Sequence, residues 1–436
     1  MKYWRTSVLP ALLLMSLIWP GFSAVAAQSM TLAQCVAVAL EDNPTLEASR
    51  LEIQAAEANR KSARGVFLPS ATTEYGMNRV HSRSAKGLTD DDALNQDGLN
   101  FSVRLSQVLY SGFRNFNSYQ RAKIRKSLLT AELELRRMEV RYDIETTFYR
   151  LLKAKQDVVV ARESVLRLKE SLKAAEALFR REQIPYVDVL QAKVEVAGAI
   201  ERLGVAGNDV NRERASLFTL MNKEESPDIS FIGAVDPDLS DPPAFEVNRQ
   251  IAFENRPDIK SLECQLQIAQ KDAAIAKGQY LPVVRLDVGY YDQDRDFEND
   301  VYDRRNRYWS AGVSASWSLF DGGRAFYESQ EHEIMSNRIK SLILDTKNSI
   351  SKEIRCALYA MTEAKQRVKV SVEALGAANE YYAGEEKRLT AGLSTIPNLL
   401  DAHVQLIQAQ RNNARAILDY RLAQSDLKLM TGSSDF

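Results

Sequence analysis

Few residues in this 436-residue chain are equipped to do chemistry. Its only histidines are His81, His332 and His403. His332 stands within Glu331-His332-Glu333, three residue types that ligate metals, but successive positions on a helix point away from one another and do not close on one ion. Asp292-Gln293-Asp294-Arg295-Asp296 opens like a calcium loop, yet Phe297 occupies the place of the sharp-turn glycine and no glutamate closes the loop. Gly322-Gly323 lacks the spacing and the lysine of a phosphate loop. Cys35, Cys264 and Cys356 are odd in number, widely spaced and without a C-x-x-C pair, which argues against both a disulfide frame and a zinc site. The chain therefore reads as a non-enzyme with no cofactor and no metal.

Its organisation is a tandem duplication. Asn43-Pro44 and Leu68-Pro69 recur as Arg256-Pro257 and Leu281-Pro282, a shift of 213 positions (256 against 43). Leu109-Tyr110-Ser111-Gly112 recurs as Leu319-Phe320-Asp321-Gly322, and Leu190-Gln191-Ala192 as Leu400-Asp401-Ala402, now shifted by 210 (322 against 112). A period this long makes each copy a multi-element unit rather than one turn of a solenoid. The expected division is a signal peptide at 1–27, repeat one at 28–221, a proline-rich linker at 222–244, repeat two at 245–432 and a tail at 433–436. Lys2 and Arg5, the apolar run from Leu9 to Pro20 and the small residues Ala24 to Ala27 carry the signal-peptide reading. The nearest cysteine to that site is Cys35, so lipid anchoring is not expected.

Each copy is expected to run helix, strand, loop, strand, very long helix, turn, helix. The first helix spans about Thr31 to Arg64 in copy one and Phe245 to Lys277 in copy two, with Leu-Pro stopping it and starting a strand. In the second strands, Leu99, Phe101, Val103 and Leu105 alternate with Asn100, Ser102, Arg104 and Ser106. Trp309 to Leu319 alternates in the same way. One apolar and one polar face over about 10 residues suits a tilted membrane strand. Aromatics gather at the strand ends, including Tyr75, Tyr110, Tyr290, Tyr308 and Trp309, and long polar loops, Asn78 to Gly98 and Asp292 to Arg307, separate the strands. Four strands are too few for a barrel, so several protomers must pool theirs.

The long segments Arg114 to Arg181 and Arg324 to Thr390 carry heptads: Ile144, Leu151, Val158, Val165, Leu172, Phe179, and Ile354, Met361, Val368, Leu375, Tyr382, Leu389. The returning helices repeat the stripe from Val189 to Leu217 and, interrupted at Asn413, from Leu399 to Tyr420. Helices of about 100 Å must project from any compact body. Acidic and basic residues nearly cancel, 58 against 57, so no nucleic-acid partner is indicated.

In this order and twice over, these segments resemble the TolC family of outer-membrane efflux and secretion channels. The resemblance rests on Asn43-Pro44, Arg256-Pro257-Asp258, the Leu-Pro strand starts, Leu319-Phe320-Asp321-Gly322-Gly323, and Gly392 followed by Asn398-Leu399-Leu400-Asp401-Ala402. It implies a mainly α fold with a membrane β-barrel part: a homotrimer with a 12-stranded barrel in the outer membrane lipid, continuous with a periplasmic α-helical barrel. It also implies a passive exit duct, opened at its periplasmic tip by a periplasmic adaptor protein and an inner-membrane pump of the ABC, RND or MFS type. By position, Asp401 and Asn398 fall at the gate constriction, where Asn398 removes one of two expected charged rings. Asp188 matches one position of the coil-tip latch, while Leu389 and Ser394 stand where a tyrosine and an arginine are expected. Gly112, Gly322 and Gly323 are the hinge glycines between strand and long helix. The coil tips around Glu182 to Asp188 and Lys387 to Asn398 are the expected docking surface. The alternative reading is a periplasmic coiled-coil adaptor of the same kind of machine, which would not duplicate a strand pair of lipid type before each long helix.

Overall fold

The computed structural model describes residues 28–82, 94–233, 239, 241–242, 244–294 and 306–433. The signal-peptide segment, the last three residues and the tips of both strand-connecting loops, with Asp296 and Phe297, lie outside them. In order the elements are β1 (Gln28–Met30), α1 (Leu32–Asp42), α2 (Pro44–Gly65), β2 (Ser70–Ser82), β3 (Leu94–Tyr110), α3 (Arg114–Arg180), α4 (Tyr186–Leu220), β4 (Ile229–Phe231), α5 (Phe245–Asn255), α6 (Pro257–Lys277), a single 3-10 turn at Gly278–Tyr280, β5 (Val283–Asp294), β6 (Asn306–Ser316), α7 (Arg324–Thr390) and α8 (Ile396–Thr431). No described helix is long and apolar enough to cross a membrane.

Three expectations change. Each first helix is broken in two, at Asn43 and at Arg256, because the following proline cannot donate its backbone N–H and forces the preceding residue into extended backbone (ψ 123° and 124°). The strands reach further into the segments read as loops, to Ser82 and from Leu94, and to Asp294 and from Asn306. The last strand stops at Ser316 rather than Leu319, where Trp317 turns to donate its indole N–H to the Tyr280 carbonyl (2.9 Å). The linker, expected as an exposed connection or a small belt element, carries a strand, with Ile229–Phe231 paired in parallel with Gln28–Met30. Phe231 then packs edge-on against Phe148 and Phe218, closing a core with Cys35, Ile144 and Leu217.

The broken helices show what the breaks accomplish. Asn43 accepts from the N–H groups of Thr45 (2.9 Å) and Leu46 (3.4 Å) as the cap of α2, and its amide donates to the Leu220 carbonyl at the end of α4 (3.3 Å). In the second copy Arg256 reaches the Met430 carbonyl at the end of α8 (3.2 Å) and pairs with Asp258 (2.7 Å) and Glu353 (3.0 Å). Leu220 and Met430 differ by the repeat shift of 210. Different side chains thus tie the same joint, each satisfying a helix-end carbonyl that has no intrahelical partner.

The backbone preserves the duplication where residue types have diverged. Among the described residues, Phe113, Glu182 and Asn222 are the non-glycine residues with positive φ, at 60°, 58° and 52°. Their counterparts 210 positions on are Gly323, Gly392 and Gly432, with φ of 83°, 74° and 67°. At the coil turns both copies close the same motif: Glu182 N–H bonds the Phe179 carbonyl and Gln183 the Leu178 carbonyl, as Gly392 bonds Leu389 and Leu393 bonds Arg388.

The heptad stripes are buried along most of their length, with Ile144, Leu151, Ile354 and Met361 almost inaccessible and Phe179 emerging at the tip. Where Asn413 interrupts the stripe of α8, its Oδ1 accepts from Ser371 of α7 (3.1 Å). The sheet runs β2-β3-β5-β6, antiparallel throughout, so the two hairpins join through β3 and β5. Phe101, Val103, Val288, Tyr290, Trp309 and Val313 share its apolar face by register.

Replacing Asn43 by alanine removes both the cap and the tie to α4. We expect a loss of about 1–2 kcal/mol in urea unfolding, and an unchanged midpoint would show that the tie carries no stability.

Candidate functional site

The turns at 181–185 and 391–395 lie at the end of the long helices away from the sheet, and the proposed gate residues follow the second turn. Their position is fixed by a core that joins the two repeats: Val165, Leu168 and Ala175 of α3 and Val189 and Ala192 of α4 pack with Ile396 and Leu400 of α8. Leu399, Ala402 and Leu406 face Tyr382 of α7 on the other side. With those positions buried, Asn398 and Asp401, three residues apart, are left exposed on the same side of α8.

The latch positions have partners within the chain. Ser394 donates to Glu385 (2.5 Å), Arg388 pairs with the same carboxylate (3.5 Å), and Asn398 donates to the Ser394 hydroxyl (3.4 Å). Glu385 is a buried carboxylate held by this chain of contacts. Leu389 is half-buried and packs into both tip cores, and Asp188, also half-buried, sits in the first turn of α4. Ser394 and Asn398 are therefore brought together, while Asp188 lies on the other hairpin. The hinge glycines all take positive φ, 63° at Gly112, 72° at Gly322 and 83° at Gly323. Asp321 caps the second hinge, accepting from the N–H groups of Gly323 (3.0 Å) and Ala325 (2.9 Å), and its carboxyl is held below the usual range chiefly by that Ala325 bond.

Sequence reasoning passed over His403, two residues beyond Asp401. It is 4% exposed and lies 2.9 Å through Nε2 from Ser164 Oγ of α3, with its ring edge-on to Tyr382 of α7. Arg167 of α3 lies over the Tyr382 ring, 5.4 Å from its centroid. Nδ1 is buried without a protein partner. One imidazole therefore pins α8 to helices of both repeats, two residues beyond Asp401. A lone histidine gives no periodic signal; only its place in the buried stripe beside Leu399, Ala402 and Leu406 marks it. His332 lies on α7, where neighbouring Glu333 is engaged by Lys277 (2.6 Å), and among the described residues no three metal-ligating side chains gather.

A family model described as outer membrane efflux protein matches residues 36–223 and 248–433. The chain belongs to that family. Alkaline protease secretion protein AprF of Pseudomonas aeruginosa is 22% identical over 410 residues, covering 91% of this chain and 83% of that protein. Outer membrane protein TolC of Vibrio cholerae is 22% identical over 426 residues, covering 94% and 92%. In fold, the chain matches the outer-membrane channel OprN with a TM-score of 0.80 at 19% identity, covering 92% of this chain and 89% of that one. The outer membrane protein VceC from Vibrio cholerae matches at 0.77 and 16%, covering 92% and 96%. The protein is thus an outer-membrane efflux or secretion channel component with a periplasmic extension, not an enzyme and not the adaptor.

Burial, with the nearby charges of Arg167 and Arg202, holds the His403 imidazole down to about 4 from its ordinary 6.5. Because the folded site favours the neutral ring, its contribution is complete above pH 6.5 and fades as pH falls towards 4. His403→Gln should remove roughly 3 kcal/mol of the stability lost across that window. Thermal midpoints measured from pH 7 to 4 check this, and parallel profiles for the two proteins would contradict it.

Proposed function

We propose that three copies of this chain form one duct, each giving four strands to a 12-stranded barrel in the outer membrane and its long helices to a tunnel across the periplasm. The observation that carries this reading is the sheet itself: four strands with an apolar and a polar face, whose edge strands β2 and β6 have no further strand partner among the described residues. In hydrocarbon an open edge leaves backbone groups unsatisfied, and four strands cannot close on themselves. β6 of one copy therefore pairs with β2 of the next. In domain terms, repeat one (28–221) and repeat two (245–432) alternate around the axis, with 222–244 as an equatorial link.

The internal duplication supports the same joint. Within the chain, the turn at Gly112 seats on Gly278, where an added Cβ would come within 2.5 Å of the Gly112 carbonyl oxygen. Their counterparts Gly322 and Gly65 have nothing within 4 Å of such a Cβ, and neighbouring Phe320 and Leu68 are 87% and 67% exposed. Likewise α6 packs on both α3 and α7, whereas α2 packs on α3 and makes no comparable contact with α7. The contact made once inside each chain is made again between chains, with Gly322 of one copy against Gly65 of the next.

At the tip, Asp401 forms a threefold carboxylate ring that draws cations, with neutral Asn398 beside it and closure supported by the Glu385, Ser394 and Arg388 contacts and by Asp188 and Leu389. The adaptor engages the coil tips, and the inner-membrane pump supplies the energy and sets the cargo. The test is single-channel recording of the mature protein in planar bilayers, with a trivalent cation on the tip side. Small cation-selective openings that the ion blocks are expected, and failure to insert would overturn the duct. Asp401→Ala should raise conductance or weaken block, and an unchanged channel would remove Asp401 from the gate. Gly65→Ala, harmless in an isolated chain, should weaken the trimer in native mass measurements, and an undiminished trimer would contradict the glycine joint.

A further inference from the structure

The polar face of the sheet carries an arrangement that neither the gate nor the assembly uses. Many of its positions are small, among them Ser70, Ser106, Gly312 and Ser314. Two register rows interrupt them. Thr72, Arg104, Gly289 and Ser310 stand side by side in one, and Glu74, Ser102, Tyr291 and Tyr308 in the next.

The Tyr291 ring folds back over Gly289. A Cβ added at position 289 would lie 2.8 Å from both Cε2 and Oη of that ring, closer than real side chains approach, and Gly289 is buried although its sheet face is otherwise open. An aromatic ring laid over a strand glycine restores the packing that the missing side chain forfeits. Arg104, the register partner of Gly289, hydrogen-bonds the Tyr291 side chain, with Asp287 and Glu74 close enough to act on the guanidinium. Asp287 in turn accepts from the Ser106 hydroxyl. Tyr308 stacks on the ring, centroids 4.9 Å apart and planes 15° apart. Glycine below, guanidinium at the hydroxyl and the stacked Tyr308 ring hold the Tyr291 ring folded back along its strand, over Gly289.

We propose that Gly289, Arg104 and Tyr308 form a clasp that holds Tyr291 folded back over Gly289 and so sets the bore of the outer segment of the duct. This rests on the reading of the polar face as the lumen of a trimeric barrel. Three clasps then surround the axis. A tyrosine released from the wall swings its ring toward the axis, so the clasp decides which cargo cross-section passes after the periplasmic tip has opened. Arg104 acts here as a positioning residue.

The test uses Ser314→Cys, two same-face rows beyond Ser310 from the loops, in a chain whose native cysteines are replaced by alanine. A charged methanethiosulfonate is added on the loop side of a planar bilayer, and the rate of current loss is read. Gly289→Ala, which leaves no room for the ring folded over position 289, should slow modification about tenfold, and adding Tyr291→Ala should restore the rate. Arg104→Gln, which frees the hydroxyl without adding an atom to the wall, should also slow it and serves where Gly289→Ala does not insert. An unchanged rate in either single variant, or a slow rate that persists without Tyr291, would overturn the clasp. Conducting Ser314→Cys channels whose introduced thiol is never reached from the loop side would instead remove the lumen reading on which the clasp rests. Absence of channels in the parent would remove the duct itself.

Discussion

A β-sheet edge cannot be left open in hydrocarbon, and the rest of this architecture follows from that constraint. Each unpaired backbone group in the membrane core costs several kcal/mol, because no water is present to satisfy it. The chain supplies four strands, with edges at Ser70–Ser82 and Asn306–Ser316. In the proposed duct, closure therefore takes further copies. Once strands are pooled around an axis, the helices that leave them are arranged around it too. The heptad stripes give those helices inward and lateral contacts, and the tip cores bind α3, α4, α7 and α8 into one bundle end.

In the proposed assembly, duplication lets one design serve both inside the chain and between chains. The helix breaks at Asn43 and Arg256, the joints at Leu220 and Met430, and the three pairs of positive-φ residues show two copies keeping one backbone while their side chains part. Left-handed backbone at a non-glycine residue costs about 1 kcal/mol or more. Phe113 and Glu182 accept that cost in repeat one where repeat two has glycine, and Asn222 takes the same conformation with a residue that tolerates it better. The copies differ most where their surroundings differ. Gly112 is packed against the other repeat, whereas Gly322 is open within the chain.

Much of the fold was legible because it is written in long periods. The heptads from Ile144 and Ile354 sum over many turns, and the alternation from Leu99 to Leu105 holds on both faces. Short or solitary features were not legible. The three-residue strands at Gln28–Met30 and Ile229–Phe231 are too brief to show a period, so the pairing was not expected and the link between repeats read only as an exposed connection or a small belt element. The breaks before Pro44 and Pro257 carried a local signal in the proline itself, but the apolar pattern running across them outweighed it. His403 and the Tyr291–Gly289 contact depend on neighbours far away in sequence, Ser164 and Arg104 among them, and no single-chain pattern marks such pairs. The resemblance offered Asp401 and Asn398 for the constriction, and the structure shows both exposed on one side of α8. The resemblance did not reveal that Ser394, set down as a lost latch residue, grips Glu385.

Electron cryomicroscopy of the mature protein in lipid nanodiscs tests the central claim most directly. The account predicts three chains around one axis, twelve strands closed with β6 of each chain paired to β2 of the next, and Gly65 seated on the neighbouring Gly322. A single chain, a barrel closed by another number of strands, or an unpaired β6 edge in lipid would contradict it.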